Sequence, residues 1–192
     1  MKFFLITLII ILLVITSCSS NPTTDTKDQI KNASNLVNNT NQGGLKMKII
    51  SNNFKHNQDI PNKFTCQGQD IRPHLKWTDI PKETKSFAIS VIDPDAPMGD
   101  FIHWLIYNIP VSITELDEGI EIPEKSIEVT NDFGKKEYGG PCPPSGKHRY
   151  FFKVYALDSE NINDVNKDNF LQKIQGHTID SIEIIGLYQK NK

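Results

Sequence analysis

Several patterns that define common protein classes are missing from this chain of 192 residues. Lysine and arginine form no long run and the formal net charge is −2, so binding to a nucleic-acid backbone is not expected. The chain has three cysteines but no Cys-x-x-Cys pair, which argues against a structural zinc site. A Gly-x-Ser-x-Gly motif is also absent, which argues against a serine hydrolase that uses this type of nucleophile turn.

A long apolar run is missing as well. The longest covers residues 3–15, which is short of the roughly 20 residues that cross a bilayer as a helix. It follows Met1 and Lys2 and ends in Ile-Thr-Ser-Cys at residues 15–18, an arrangement typical of a signal peptide. The last four residues resemble the bacterial lipoprotein processing box, in which the cysteine is lipidated. An ordinary secretory signal, with Cys18 incidental, is the alternative.

This N-terminal pattern predicts three segments. Residues 1–17 are expected to be a lipoprotein signal peptide, and residues 18–46 a flexible tether rich in Asn, Thr, Ser and Asp that cannot bury enough apolar surface to fold. Residues 47–192 would form one domain. A palmitate-type anchor on Cys18 predicts a place in the cell envelope, and Ser19 favours the outer membrane, facing the periplasm.

Two cysteines remain if Cys18 carries lipid. Cys66 and Cys142 form an even pair in a chain that is predicted to be exported, which favours oxidation. The sequence does not show whether their Cα atoms approach, so a disulfide and two free thiols are both compatible with it.

Short apolar runs separated by turn residues follow Lys46, and they are rich in β-branched and aromatic residues, as strands are. Helical spacing of Val165, Phe170 and Ile174 before Gly176 predicts one helix. Together, these elements predict an all-β or β-rich sandwich with one or two short helices near the C-terminus. The predicted strands are residues 48–54, 85–93, 101–109, 149–157 and 181–188.

Two stiff tracts carry most of the chemistry. The tract DPDAPMGDFIHW covers residues 93–104 and contains His103. The tract GGPCPPSGKHRYFF covers residues 139–152 and contains His148 and Tyr150. Proline restricts each loop, and His148 and Tyr150 share one face of a strand because they are two residues apart. Imidazole N–H, tyrosine hydroxyl and free backbone N–H groups all donate, which suits a small oxyanion.

These tracts resemble the phosphatidylethanolamine-binding protein family, in its bacterial and archaeal Raf-kinase-inhibitor-like branch. FTCQGQDIRPHLKW, SFAISVIDPDAPMGDFIHWLIYNIP, YGGPCPPSGKHRYFFKVYAL and GHTIDSIEIIGLY match that branch in order. The resemblance implies a sandwich of two antiparallel sheets with a small surface pocket for an anion. It assigns ligand binding to Asp93, His103, Gly140, Pro144, His148 and Tyr150, with Asp95 and Tyr188 as support.

One departure from the family pattern precedes the first tryptophan. The family commonly has Ser-Pro-Pro-Leu where this chain has Arg72, Pro73, His74 and Leu75. Arg72 and His74 could alter the charge at the pocket rim, but ordinary surface substitutions are the favoured interpretation.

The favoured function is a non-catalytic, lipid-anchored module that binds a phosphate- or carboxylate-bearing head group or small ligand, or modulates a protein partner through the same pocket. No cofactor and no nucleic acid are expected. A hydrolase is the first alternative, with His103 or His148 as general base and Cys142 or Ser145 as the available nucleophiles. A zinc or manganese protein that uses the two aspartates and two histidines is the second.

Overall fold

The computed structural model describes residues 46–191. Short loops connect nine β-strands, one α-helix and one short 3-10 helix in this part of the chain, and no helix there is long and apolar enough to cross a membrane. The strands are β1 (Lys48–Ile50), β2 (Gln58–Asp59), β3 (Leu75–Thr78), β4 (Ser86–Asp93), β5 (Phe101–Pro110), β6 (Glu115–Leu116), β7 (Ile127–Val129), β8 (His148–Leu157) and β9 (Thr178–Tyr188). The helices are the 3-10 helix Asn62–Phe64 and α1 (Phe170–Gln175).

Two sheets form the domain, and the prediction of a β-rich fold is confirmed. The larger sheet has the order β2-β9-β8-β4-β5-β7, and the smaller has the order β1-β3-β6. All neighbouring strands are antiparallel except β2 and β9, which are parallel. Strand β4 lies between β5 and β8. The two tracts singled out in the sequence lead into β5 and β8, so both end beside the same strand.

The alternation of side chains along β4 produces two hydrophobic clusters. Phe87, Ile89 and Val91 belong to the larger cluster, together with residues of the smaller sheet such as Trp77. Side chains on the opposite face, including Ala88, pack in the cluster that contains α1. Successive side chains of a strand point to opposite faces, so β4 contributes to both clusters. The packing of α1 comes chiefly from Phe170 and Ile174, which are fully buried.

The observed elements differ from the predicted ones mainly at their ends. Strand β1 stops at Ile50, although residues 48–54 were expected to be extended, because side chains take over the hydrogen bonds. The Asn52 N–H donates to His74 Nδ1 (3.1 Å), and the Asn53 side chain accepts from the His74 N–H (2.7 Å). Such bonds compete with strand pairing. Residue 165 lies outside α1, and the 3-10 helix after Pro61 was not predicted.

A disulfide joins Cys66 to Cys142, so the alternative of two free thiols does not apply to this structure. Their Cα atoms are 5.4 Å apart and 76 positions separate them in sequence. The Cys66 N–H also donates to the Pro141 carbonyl (3.2 Å). The bridge therefore connects the loop after the 3-10 helix with the proline-rich segment before β8.

Replacement of both cysteines by serine (C66S/C142S) is expected to lower the free energy of unfolding by about 4 kcal/mol, because the bridge restricts a long loop in the unfolded chain. Urea unfolding at equal protein concentration measures this difference. Ser145→Ala is the control, since Ser145 is exposed in the same segment. Equal urea midpoints for the double variant and the parent would contradict the prediction.

Candidate functional site

The loop after β4 is held by the two aspartates of the Asp93–Pro94–Asp95 sequence. The Asp95 N–H donates to Asp93 Oδ1 (2.9 Å). Arg149, on β8, donates to Asp95 from its guanidinium group (2.7 and 2.9 Å) and from its backbone N–H (2.9 Å). The Arg149 hydrogen bonds lower the pKa of Asp95 to about 2. Asp95 thus connects the loop to β8.

Asp93 and His148 form a buried pair across β4 and β8. His148 Nδ1–H donates to Asp93 Oδ2 (2.8 Å), and the two side chains are 9% and 4% exposed. The other Asp93 oxygen accepts the Asp95 N–H. Both carboxylate oxygens therefore have a donor, which a carboxylate needs when it is removed from water.

His103 approaches the same place from β5, on the other side of β4. Its Nδ1–H donates to the Gly139 carbonyl (2.7 Å), and its ring meets the ring of Tyr150 edge to face at 5.1 Å. Burial lowers the pKa of His103, against the opposing influence of nearby carbonyl groups and Asp93. With Nδ1 engaged, Nε2 is the ring nitrogen that remains for a ligand.

Tyr150, on β8, packs against His103 and is fully buried. Its hydroxyl meets no hydrogen-bond partner within the described part of the chain. Burial, followed by the negative charge of Asp93, raises its pKa. The hydroxyl is therefore a protonated donor at any physiological pH.

Gly140 has a packing role in the segment before β8. Its N–H donates to Asp70 Oδ1 (2.7 Å), and a Cβ at this position would collide with that oxygen and with the Phe64 carbonyl. The Tyr138 hydroxyl also donates to the Phe64 carbonyl (3.2 Å). Glycine is required here because two backbone segments approach closely.

A cavity of about 560 Å³ opens between these elements. Its walls are largely apolar and include the rings of Phe101 and Phe133, while Met98 is fully exposed at its edge. Pockets of this size hold small molecules or head groups. The lining residues are Asp93, Ala96, Pro97, Met98, Gly99, Asp100, Phe101, His103, Asp132, Phe133, Cys142, Pro143 and Pro144.

The predicted site residues divide into lining residues and support. Asp93, His103 and Pro144 line the cavity, whereas Gly140, His148 and Tyr150 are buried and do not. Tyr188 lines a different cavity, and its hydroxyl bonds the side chains of Asn62 (2.9 Å) and Gln67 (2.6 Å). Tyr188 also pairs directly with His148 across β8 and β9, so it lies next to the buried residues of the site while its hydroxyl anchors the loop after the 3-10 helix.

The sequence prediction missed the turn at residues 131–137. The Asn131 amide donates to the carbonyls of His103 (3.0 Å) and Glu137 (2.8 Å), and its oxygen accepts the N–H groups of Phe133 and Lys135 (both 3.0 Å). This turn carries Asp132 and Phe133 into the cavity wall. The Asn-Asp-Phe-Gly sequence signals a turn, but not its place beside His103.

Two alternative chemistries lose support from the geometry. The disulfide occupies the sulfur of Cys142, so this residue is no free nucleophile in the oxidised protein. Among the described residues, Asp93, His103 and His148 do not converge as a group of three metal ligands. The group that does converge is His74, Glu115 and Asp117.

The His74 group is better explained as structure. His74 Nδ1 accepts the Asn52 N–H (3.1 Å), which leaves the proton on Nε2 to donate to Glu115 (2.8 Å). A protonated ring nitrogen does not bind a metal. His74 and Arg72 are both buried, and Arg72 donates to the carbonyls of Asp117 and Glu121. The interpretation of these two residues as surface substitutions was therefore wrong.

Comparison with known proteins agrees with this architecture of two sheets. The family model described as phosphatidylethanolamine-binding protein matches residues 50–189. The chain therefore belongs to the phosphatidylethanolamine-binding protein family, as its sequence motifs suggested.

Similar proteins are found in Aquifex aeolicus and Pyrococcus horikoshii. A UPF0098 protein of Aquifex aeolicus is 44% identical over 157 residues, which cover 78% of this chain and 92% of the relative. A UPF0098 protein of Pyrococcus horikoshii is 45% identical over 159 residues, which cover 77% and 80%.

Two solved structures are also similar. A phosphatidylethanolamine-binding protein homologue of Chlamydia trachomatis has a TM-score of 0.71 at 37% identity and covers 77% of this chain and 99% of its own. E. coli YbcL, described as a new member of the mammalian family, has a TM-score of 0.72 at 32% identity and covers 76% and 99%.

His103 is expected to titrate below the reference histidine pKa of about 6.5, because burial disfavours the imidazolium. Proton NMR of the ring across the acidic range measures this pKa, and His103→Gln assigns the resonance. Since the folded-state pKa is depressed, the contribution of His103 to stability is present above about 6.5 and is lost as the pH falls below it. A measured pKa at or above the reference value would contradict the assignment.

Proposed function

We propose that the chain is a non-catalytic anion-binding module, and that its cavity takes a phosphate- or carboxylate-bearing head group or small ligand beside His103. One observation carries this proposal: a buried imidazole lines the cavity with Nδ1 already bonded to the Gly139 carbonyl. Nε2 is then available to donate to an oxyanion when the ring is protonated. In the neutral ring it can accept a hydrogen bond from a ligand's hydroxyl group.

The carboxylates around the cavity are compensated. Asp93 accepts from His148 and from the Asp95 N–H. Asp132 accepts from the Ile102 N–H (2.7 Å) and from Lys167 (2.6 Å). Asp100 is exposed to water, which screens its charge. An anion beside His103 therefore has a hydrogen-bond donor next to it, and the buried carboxylates nearby are already bonded to donors of the protein.

The remaining charge limits the ligand. Three aspartates line the cavity against one histidine, so a singly charged anion is favoured over a doubly charged one. Phe101, Phe133 and Pro143 supply apolar walls, which suit the carbon atoms attached to such an anion. A phosphodiester or a small carboxylate fits both conditions.

We also propose that the domain is held at a membrane by a lipid on Cys18, in the cell envelope and preferably at the outer membrane. The motif at residues 15–18 supports this proposal, and it lies outside the described residues. A protein partner at the same cavity remains part of the proposal, since a bound head group and a bound side chain carboxylate present the same chemistry.

Acetate binding is expected to be stronger at pH about 5.5 than at about 7.5. The ring of His103 is neutral at the higher pH because burial lowers its pKa, whereas acid and the bound anion both favour its protonation at the lower pH, where acetate keeps its charge. A charge-assisted hydrogen bond corresponds to an affinity gain of about tenfold or more. Two-dimensional NMR titrations at both pH values measure the affinity and locate the shifts.

His103→Gln should remove the pH dependence of acetate binding, whereas His56→Gln should keep it, because His56 is exposed and outside the cavity. Parallel titrations with phosphate and phosphoethanolamine compare head groups. Shifts that are centred away from His103, or affinity that is equal at the two pH values, would overturn the proposed function.

The anchor is tested by metabolic labelling of producing cells with a palmitate analogue. Label should be attached to the parent chain and lost in Cys18→Ala, because residue 18 is the position that is expected to carry the acyl chains. Ser19→Ala is the matched control and should keep the label. Equal labelling of all three chains would show that Cys18 is not the acylated residue.

A further inference from the structure

The Cys66–Cys142 disulfide joins the cavity to the protein surface. Cys142 lines the cavity together with His103, whereas Cys66 is exposed on the neighbouring loop. A small molecule whose anionic group is held by His103 would therefore lie beside the Cys142 end of the bridge. The proposed function makes no use of this sulfur.

The cavity wall around Cys142 is held by contacts other than the bridge. The Gly140 N–H bonds Asp70, the Tyr138 hydroxyl bonds the Phe64 carbonyl, and the Cys66 N–H bonds the Pro141 carbonyl. Pro143 and Pro144 further limit the conformations of the segment. Opening the sulfur–sulfur bond therefore leaves in place the segment by which Cys142 lines the cavity.

We propose that the Cys142 end of this disulfide is a covalent capture site for small thiols that carry a carboxylate or phosphate group, an inference that rests on the proposed function. The anionic group binds beside His103 and brings the thiol of the same molecule to Cys142. Holding two reactants together raises their effective concentration. The structure thereby assigns to the cavity a second, covalent mode of binding.

The exchange is balanced without an external oxidant or reductant. The thiolate of the small molecule attacks Cys142 Sγ, a new disulfide forms between them, and the Cys66–Cys142 bond breaks. The electron pair leaves with Cys66 Sγ as a thiolate, which takes a proton from water. One disulfide is consumed and one is formed.

The two ends of the bridge are not equivalent in this reaction. Cys66 is the exposed end, and water stabilises the thiolate that leaves there. Cys142 is the end next to the bound molecule. Attack on Cys142 thus keeps the captured thiol in the cavity, whereas attack on Cys66 would place it at the surface.

The test uses the full oxidised chain in detergent at pH about 5.5, where His103 is expected to be protonated beside an anion, and a matched pair of probes, mercaptoacetate and its neutral amide, mercaptoacetamide. Rates are compared per thiolate and divided by the rate of the same probe with the neutral disulfide of mercaptoethanol, because the thiolate is the attacking species and its intrinsic nucleophilicity rises with its pKa. Mercaptoacetate is expected to react about tenfold faster than the amide, the gain of one charge-assisted hydrogen bond. Peptide mapping after an acid quench should find its adduct on Cys142, and excess acetate should slow it.

Equal rates for the two probes, or an adduct mainly on Cys66, would overturn the capture site. The acetate titration separates this failure from failure of the proposed function. If acetate shifts the His103 signals but the probes react equally, the covalent site alone is wrong. If acetate does not bind beside His103, the proposed function is wrong, and a rate advantage of mercaptoacetate is not expected either.

Alkylation of two single variants is a second measurement that does not depend on disulfide exchange. Cys66→Ser frees the thiol of Cys142 in the cavity, and Cys142→Ser frees the thiol of Cys66 at the surface. The ratio of the iodoacetate rate to the iodoacetamide rate should be about tenfold higher in the first variant, again because of the bound carboxylate. Equal ratios in two folded variants, checked by NMR, would contradict the proposal.

Discussion

The hydrogen bond between the Asp93 carboxylate and His148 is the interaction on which the site depends. It joins two neighbouring strands at the point where one of them ends and the loop of the cavity begins. A buried carboxylate without donors would be costly, so His148 and the Asp95 N–H are requirements of the fold as well as of the site. The proline-rich loop can be rigid because both of its acids are bonded to β8.

The cavity is built in two layers with separate tasks. A small number of groups face the ligand space, foremost His103 with its free Nε2. Behind them, His148 holds Asp93, Tyr150 packs against the His103 ring, and Gly140 lets two backbone segments meet. Substitution of the second layer changes the orientation and protonation of the first. Effects on binding are therefore expected from residues that no ligand touches.

Family membership and the particular chemistry of this chain are separate matters. The relatives share the fold over nearly the whole described region, and a fold by itself does not define a ligand. The disulfide beside the cavity and the turn that carries Asp132 and Phe133 are features of this chain's own contacts. They give its cavity a character that the family name does not describe.

The local pattern of the sequence was sufficient for the larger strands, for α1 and for the two tracts that bear His103 and His148, because alternation, helical spacing and proline are local properties. The sequence could not show which of the predicted site residues face the cavity and which lie behind it. Tyr150 and Gly140 are buried and do not line the cavity, and Tyr188 lines another cavity although it pairs with His148, because strand order and depth in the sheet are set by distant pairings. The same holds for the bridge, since only the folded chain brings Cys66 to Cys142 across 76 positions.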